Sequence, residues 1–310
     1  MLISLVFLVA GIALVLWGAE RFTDGAVRTA TRFGLSTFYV GAAVSGFEPE
    51  NLVTGGAAAI GNLPQIALGT VVGAAVFMLT AGLGVALMLV PMEVRIPRAG
   101  GVAMIVSLLL FMMFVWPDGD VSRIEGVLLL LVAAGLMVWL YRASPVFKRQ
   151  REEGEAKESS GVKPIVLLAL GTGVMIAGAE LVVHGVRGLL TTVMLSETFL
   201  GMAVVGMGES LEETARMVTP ARRGHPELAW GNVVGTIVVL LTFNLGVIAL
   251  LRPVAADPFV LRFHVPYLAL CTLIVAIVLL IGRKVGRRTG AVLVVLYVVY
   301  LAVNLANMWG

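Results

Sequence analysis

Gly41-Ala-Ala-Val-Ser-Gly-Phe-Glu-Pro-Glu-Asn-Leu52 and Gly201-Met-Ala-Val-Val-Gly-Met-Gly-Glu-Ser-Leu-Glu-Glu213 decide the reading of this chain. Each sets glutamates inside an apolar run, and each is followed by similar punctuation. The first leads to Gly61-Asn62 and then Ile66-Ala-Leu-Gly-Thr-Val-Val-Gly73; the second leads to Gly224-His225 and then Leu228-Ala-Trp-Gly-Asn-Val-Val-Gly235. Glu50 precedes Gly61 by 11 residues, and Glu213 precedes Gly224 by the same 11. Gly11, Gly18, Ala19 and Glu20 likewise match Gly171, Gly178, Ala179 and Glu180 at a constant offset of 160. The chain is written twice, and both copies place acids where a carboxylate is expensive to bury. Repeated acids at membrane depth are a functional-site hypothesis by default.

Composition supports that setting. The 310 residues are 59% hydrophobic and 13% charged, against about 25% charged in soluble domains. This is a polytopic membrane protein with little mass outside the bilayer. Its 36 glycines suit close helix packing in lipid. The net charge of +3 does not indicate nucleic-acid binding, because the basic residues cluster in short loops. The single cysteine, Cys271, excludes an intrachain disulfide and reads as packing. His184, His225 and His264 lie near span ends without metal-ligand spacing. The N-terminus is apolar from Leu2 and lacks a basic region, so it reads as a first span and not a cleaved leader.

Ten apolar stretches, roughly 2–20, 36–59, 65–90, 99–116, 124–141, 164–183, 196–219, 226–250, 264–282 and 289–308, are each near the ~20 residues that cross a bilayer as helix. The expected fold is therefore an all-α integral membrane protein of ten transmembrane helices. A polar stretch, 142–163, separates a first five-helix repeat, 1–141, from a second, 164–310. Alternate loops differ in basic content. One set holds seventeen Lys and Arg, including Arg28, Arg95, Arg149, Arg222 and Arg287; the other holds only Arg123, Arg187, Arg252 and Arg262. This bias puts the linker in the cytoplasm and both termini outside the cell membrane. The two similar glutamate segments then cross in opposite directions, which makes the repeats inverted and their meeting place a site near the midplane.

Glu209, Glu212, Glu213 and Arg216 fall at i, i+3, i+4 and i+7, on one face of a helix, with Ser210 beside them. In the first copy Glu48 and Glu50 flank Pro49, and Ser45 stands three residues before Glu48. A mid-span proline removes a backbone hydrogen bond, and such a break is tolerated in lipid where the backbone lines a cavity. Carboxylate, hydroxyl and carbonyl oxygens suit hard cations such as Ca²⁺, Mg²⁺ or Na⁺. Five ionised glutamates against Arg216 alone would need cations or protons to persist in a low dielectric. The candidate cation ligands are thus Glu50, Glu213, Glu209, Glu212, Glu48, Ser210 and Ser45, with Arg216 as a modulating counter-charge. The bland alternative is a set of structural glutamates paired with Arg216 or protonated. Glu20 and Glu180, near span ends, read as structural, and Asn232 opens the eighth span with its amide toward or away from the site.

These segments resemble the two alpha repeats of the sodium/calcium exchanger family, whose pattern is approximately G-T-S-x-P-E-L, a glycine near twelve residues on, then A-L-G-N-V-V-G-S-N. Pro49-Glu50, Gly61 and Ala67-Leu-Gly-Thr-Val-Val-Gly73 carry the likeness in the first repeat. Gly208, Ser210, Leu211, Glu213, Gly224 and Gly231-Asn-Val-Val-Gly235 carry it in the second. Gly18-Ala-Glu20 and Gly178-Ala-Glu180 look like the family's first-helix signature. The resemblance implies that Glu50 and Glu213 are the central cation-binding carboxylates and that transport proceeds by alternating access. The chain departs from the pattern at Gly46-Phe47, Glu48, Glu209, Glu212 and Arg216, and at Ala74-Ala75 and Thr236-Ile237 after each Val-Val-Gly.

The expected function is secondary antiport of a divalent cation, Ca²⁺ first, against Na⁺ or H⁺, with the extra acids favouring H⁺. The same scaffold carrying Mg²⁺ or another solute is the alternative. A membrane enzyme or a non-transporting sensor is the reading from another class, and the chain has no Asp-rich pair, Ser–His–Asp set or His–Glu metal motif to support an enzyme. No cofactor is expected, since the cations are cargo. The partners are inorganic cations and the bilayer, with no nucleic acid, and a monomer is the simplest working unit.

Overall fold

The computed structural model describes residues 2–46, 48–62, 64–117, 119–144, 163–190, 206–282 and 284–309. Helices dominate them. In chain order they are α1 (Leu2–Arg32), α2 (Thr37–Val40), α3 (Pro49–Ile60), α4 (Pro64–Phe77), α5 (Leu83–Leu89), α6 (Arg98–Val115), α7 (Arg123–Ala143), α8 (Lys163–Leu190), α9 (Gly206–Arg222), α10 (Pro226–Val238), α11 (Leu245–Leu251), α12 (Val265–Ile281) and α13 (Arg287–Trp309). Wider π-helical turns extend α2 (Gly41–Ser45), join α4 to α5 (Met78–Gly82), join α10 to α11 (Val239–Asn244) and precede α12 (Val260–His264). Among the described residues, seven helical stretches are long and apolar enough to cross a membrane, from Ile3–Arg32 to Arg287–Asn304. Leu131, Ile277, Val292 and Val295 stand outward and exposed on α7, α12 and α13. Such apolar outer faces fit lipid and not water. The chain is an integral membrane protein. Nearly all of the 142–163 stretch, and the start of the seventh span, lie outside the described residues.

The chain forms two compact units, and each draws on both halves of the sequence. Within the first (Met1–Thr37 and Val146–His225), α1 lies against α8 along a stripe of glycines. An added Cβ at Gly171 would sit 2.3 Å from Phe22 N, at Gly25 2.4 Å from Leu168 N, and at Gly178 2.9 Å from Gly11 O. Gly11, Gly18 and Gly25 recur every seven residues, as do Gly171, Gly178 and Gly185. A seven-residue period keeps one helix face turned to its partner, and glycine lets the backbones meet. α1 also runs past the boundary read from the sequence at residue 20. Glu20, Arg21 and Asp24 are polar without breaking the helix, which ends where Gly34 takes φ +63°. Glu20 is therefore inside the helix and not at its end. Near the far end of α9, Arg223 reaches Asp24 Oδ1 at 2.6 Å and Glu20 Oε2 at 3.5 Å.

The second unit (Phe38–Pro145 and Pro226–Gly310) shows a reciprocal pattern. Two-residue strands β1 (Met92–Glu93) and β4 (Lys284–Val285) pair antiparallel, and so do β2 (Asp120–Val121) and β3 (Val254–Ala255). Gly84 of α5 packs on Gly290 of α13, and Gly246 of α11 packs on Gly126 of α7. In each case an element of the first half takes its partner from the second, and the reverse contact exists. The π turns at Met78–Gly82 and Val239–Asn244 fall at corresponding places, and Thr80 and Thr242 each donate a hydroxyl to the carbonyl four residues back. The tightest crossing sets α10 on the end of α2. A Cβ at Gly235 would lie 2.1 Å from Ala42 O, and one at Gly46 2.5 Å from the Gly235 carbonyl carbon. Asn232 is fully buried in the body of α10, not at a span opening, because the helix starts at Pro226.

Candidate cation site

In the first unit, the site is built on α9. Residues three and four apart share a helix face, so Arg216 meets both acids of the preceding turn. Its Nη1 donates to Glu213 Oε1 at 3.1 Å, and its Nη2 donates to Glu212 Oε1. All three are buried, with Arg216 1%, Glu212 5% and Glu213 8% exposed. One guanidinium thus serves two acids. Charges at this depth need partners, since each would otherwise carry a desolvation cost of several kcal/mol. Glu209 and Ser210 belong to the same helix by backbone, but their side chains lie outside the described residues.

In the second unit, the helix read as one span breaks where Pro49 stands. The π turn ends with Gly46 N bonded to Gly41 O, and α3 starts afresh with Glu48 as its cap and Pro49 at its first position. A proline at a helix start costs nothing, because its missing N–H would have no partner there. Glu48, 5% exposed, accepts a hydrogen bond from the side-chain amide of Asn51. Glu50 lies in the first turn of α3, and Ser45 in the π turn before the break; the side chains of both are outside the described residues. The break separates Glu48 and Glu50 from the geometry of a continuous helix, as the proline implied. Among the described residues, no group of three or more His, Cys, Asp or Glu side chains converges.

One residue escaped the sequence reading. Asn244, fully buried in the π turn between α10 and α11, leaves both amide atoms without a hydrogen-bond partner among the described residues. π turns recur at functional sites, and a lone Asn within the apolar run Ile237–Leu251 was the available signal. His264 bonds Tyr300 Oη at 2.8 Å in an aromatic cluster with Phe263 and Tyr267, and Cys271 is buried and free.

Carboxylates buried within a helical membrane protein, Glu212 and Glu213 on α9 and Glu48 at the break before α3, fit the class of helical membrane transporters of charged solutes. The family follows from the sequence: the chain belongs to the family described as sodium/calcium exchanger protein, whose pattern matches residues 3–142 and 163–306. Among its relatives, the putative antiporter CaxA of Alkalimonas amylolytica is 26% identical, with 97% of this chain and 98% of that protein covered. The inner membrane protein YrbG of Escherichia coli strain K12 is 25% identical, with 97% of each covered. Among solved structures, the sodium-calcium exchanger NCX_Mj, soaked with Na⁺ and Sr²⁺, is 24% identical. It matches with a TM-score of 0.81 over 97% of this chain and 98% of its own, a likeness of fold.

Proposed function

We propose that this chain is a secondary antiporter that exchanges a divalent cation, Ca²⁺ first, for Na⁺ or H⁺ by alternating access. Its ten spans form two inverted five-helix repeats, 1–141 and 164–310, joined by a cytoplasmic linker over 142–163, with both termini on the far side of the cell membrane. The reciprocal pairings β1–β4 and β2–β3, and the two π turns, support the inverted plan. The observation that carries the function is the buried pair Glu212–Glu213 on α9, in the segment repeated at Glu48–Glu50 in a chain of the exchanger family. Glu50 and Glu213 are the principal cation ligands in this reading, with Glu209, Glu212, Glu48, Ser210 and Ser45 around them.

The test is flux of radioactive Ca²⁺ into proteoliposomes holding the purified protein, under imposed Na⁺ or pH gradients. Glu50→Gln and Glu213→Gln are each expected to abolish flux while the protein stays folded. Full flux in both variants would refute the assignment. A second reading, transport of Mg²⁺ or another solute, draws support from the Arg216 ion pairs, which change the charge presented to any cargo. Competition between Ca²⁺, Mg²⁺ and Mn²⁺ in the same vesicles separates the two.

A further inference from the structure

We infer that Arg216 is a resident cation: its guanidinium supplies one of the positive charges that Glu212 and Glu213 require, so the site holds its acids together with one fewer charge of transported cation. This deepens the antiport reading and rests on it for the identity of the site. The geometry is that of a tethered ligand. One guanidinium nitrogen goes to each carboxylate, from a side chain 1% exposed. A guanidinium stays protonated at every accessible pH and presents several donors in a fixed fork, so it bridges two carboxylates where an ammonium would serve as a point charge. With both acids ionised, the three side chains carry a net charge of one negative, where the two acids by themselves carry two.

The position is costly and specific. Among the described residues, Arg216 is the one Lys or Arg whose side chain is buried; the others described are exposed or half-exposed, including Arg21 and Arg28 inside α1. A buried basic residue is tolerated where it offsets buried acids. Its spacing from Glu212 and Glu213, four and three residues, places it on their face and nowhere else on the helix. A mobile cation approaching these acids competes with a cation that cannot leave. The acids are therefore neutralised in part before any ion arrives, and fewer ions complete the charge balance in each cycle.

The experiment compares the full-length wild type with Arg216→Gln and with Arg216→Gln/Glu212→Gln, purified in detergent in choline chloride with a chelator. Thermal stability is read as NaCl or CaCl₂ is added. A cation that binds the native state raises Tm in proportion to the logarithm of its concentration. Arg216→Gln is expected to be unstable without these cations and to rise with either one more steeply than the wild type. The double variant, with one carboxylate neutralised, is expected to return to the wild-type slope. Equal slopes for wild type and Arg216→Gln would overturn the inference. So would an Arg216→Gln protein that stays unfolded at saturating Na⁺ and Ca²⁺, because the arginine would then be needed for packing and not for charge. Wild-type flux in proteoliposomes tests the antiport reading separately. A cation-dependent Arg216→Gln protein in a wild type without flux would refute antiport and leave the resident cation standing.

Discussion

Gly235→Ala is expected to pry α10 from the end of α2, and its size follows from the backbone. The new Cβ would lie 2.1 Å from the Ala42 carbonyl oxygen and 2.5 Å from Ala42 Cα, where ordinary contact begins at 3.4 Å. The two segments must part by about 1.3 Å, the shortfall against the 2.1 Å approach. No rotamer relieves the clash, because both contacts are main-chain atoms. Parting them also loosens the neighbouring approaches, Gly231 to Phe38 O and Gly41 to Leu228 O. Overpacking costs 1–3 kcal/mol in typical cores, and a clash against backbone on both sides belongs at about 3 kcal/mol. At roughly 2–4 °C per kcal/mol, this is a fall of roughly 6–12 °C in Tm. The assay is thermal unfolding in detergent followed by tryptophan fluorescence. Gly135→Ala is the control, since the space around Gly135 on the outer face of α7 is open among the described residues and alanine favours helix there. A Gly235→Ala protein melting within about 2 °C of the control would show that the crossing is not backbone on backbone and would refute the packing.

Two further substitutions test other joints. Trp230 is fully buried and donates its indole N–H to Glu93 O at 3.0 Å, so Trp230→Phe should cost about 2 kcal/mol through the lost hydrogen bond and the void, read as a lower Tm. Ser122 caps α7 in a reciprocal box with Glu125, and Ser122→Ala should lower stability by about 1 kcal/mol in the same assay, with flux unchanged.

The local geometry around Arg216 is legible in the sequence. The i, i+3 and i+4 relation among Glu212, Glu213 and Arg216 is local, and the ion pairs follow it directly. Pro49 announced the break that makes Glu48 a helix cap. The end of α1 was misplaced because charged residues at Glu20, Arg21 and Asp24 end an apolar run without ending a helix. Asn244 passed unnoticed because one amide hardly alters the hydropathy of a long apolar stretch. The π turn that holds it has no sequence mark comparable to a proline.

The amino-acid sequence alone determined that this is a helical membrane protein, that its acids recur in two copies, and that Arg216 shares a face with two of them. Those properties depend on transfer to lipid and on spacing within a few residues. Tertiary structure alone decided that α1 lies on α8, that β1 pairs with β4 and β2 with β3, and that Trp230 bonds Glu93. Helices in lipid gain no hydrophobic advantage from one neighbour over another, so partners are chosen where glycine lets backbones touch. That choice joins residues more than a hundred positions apart, beyond the reach of any local pattern.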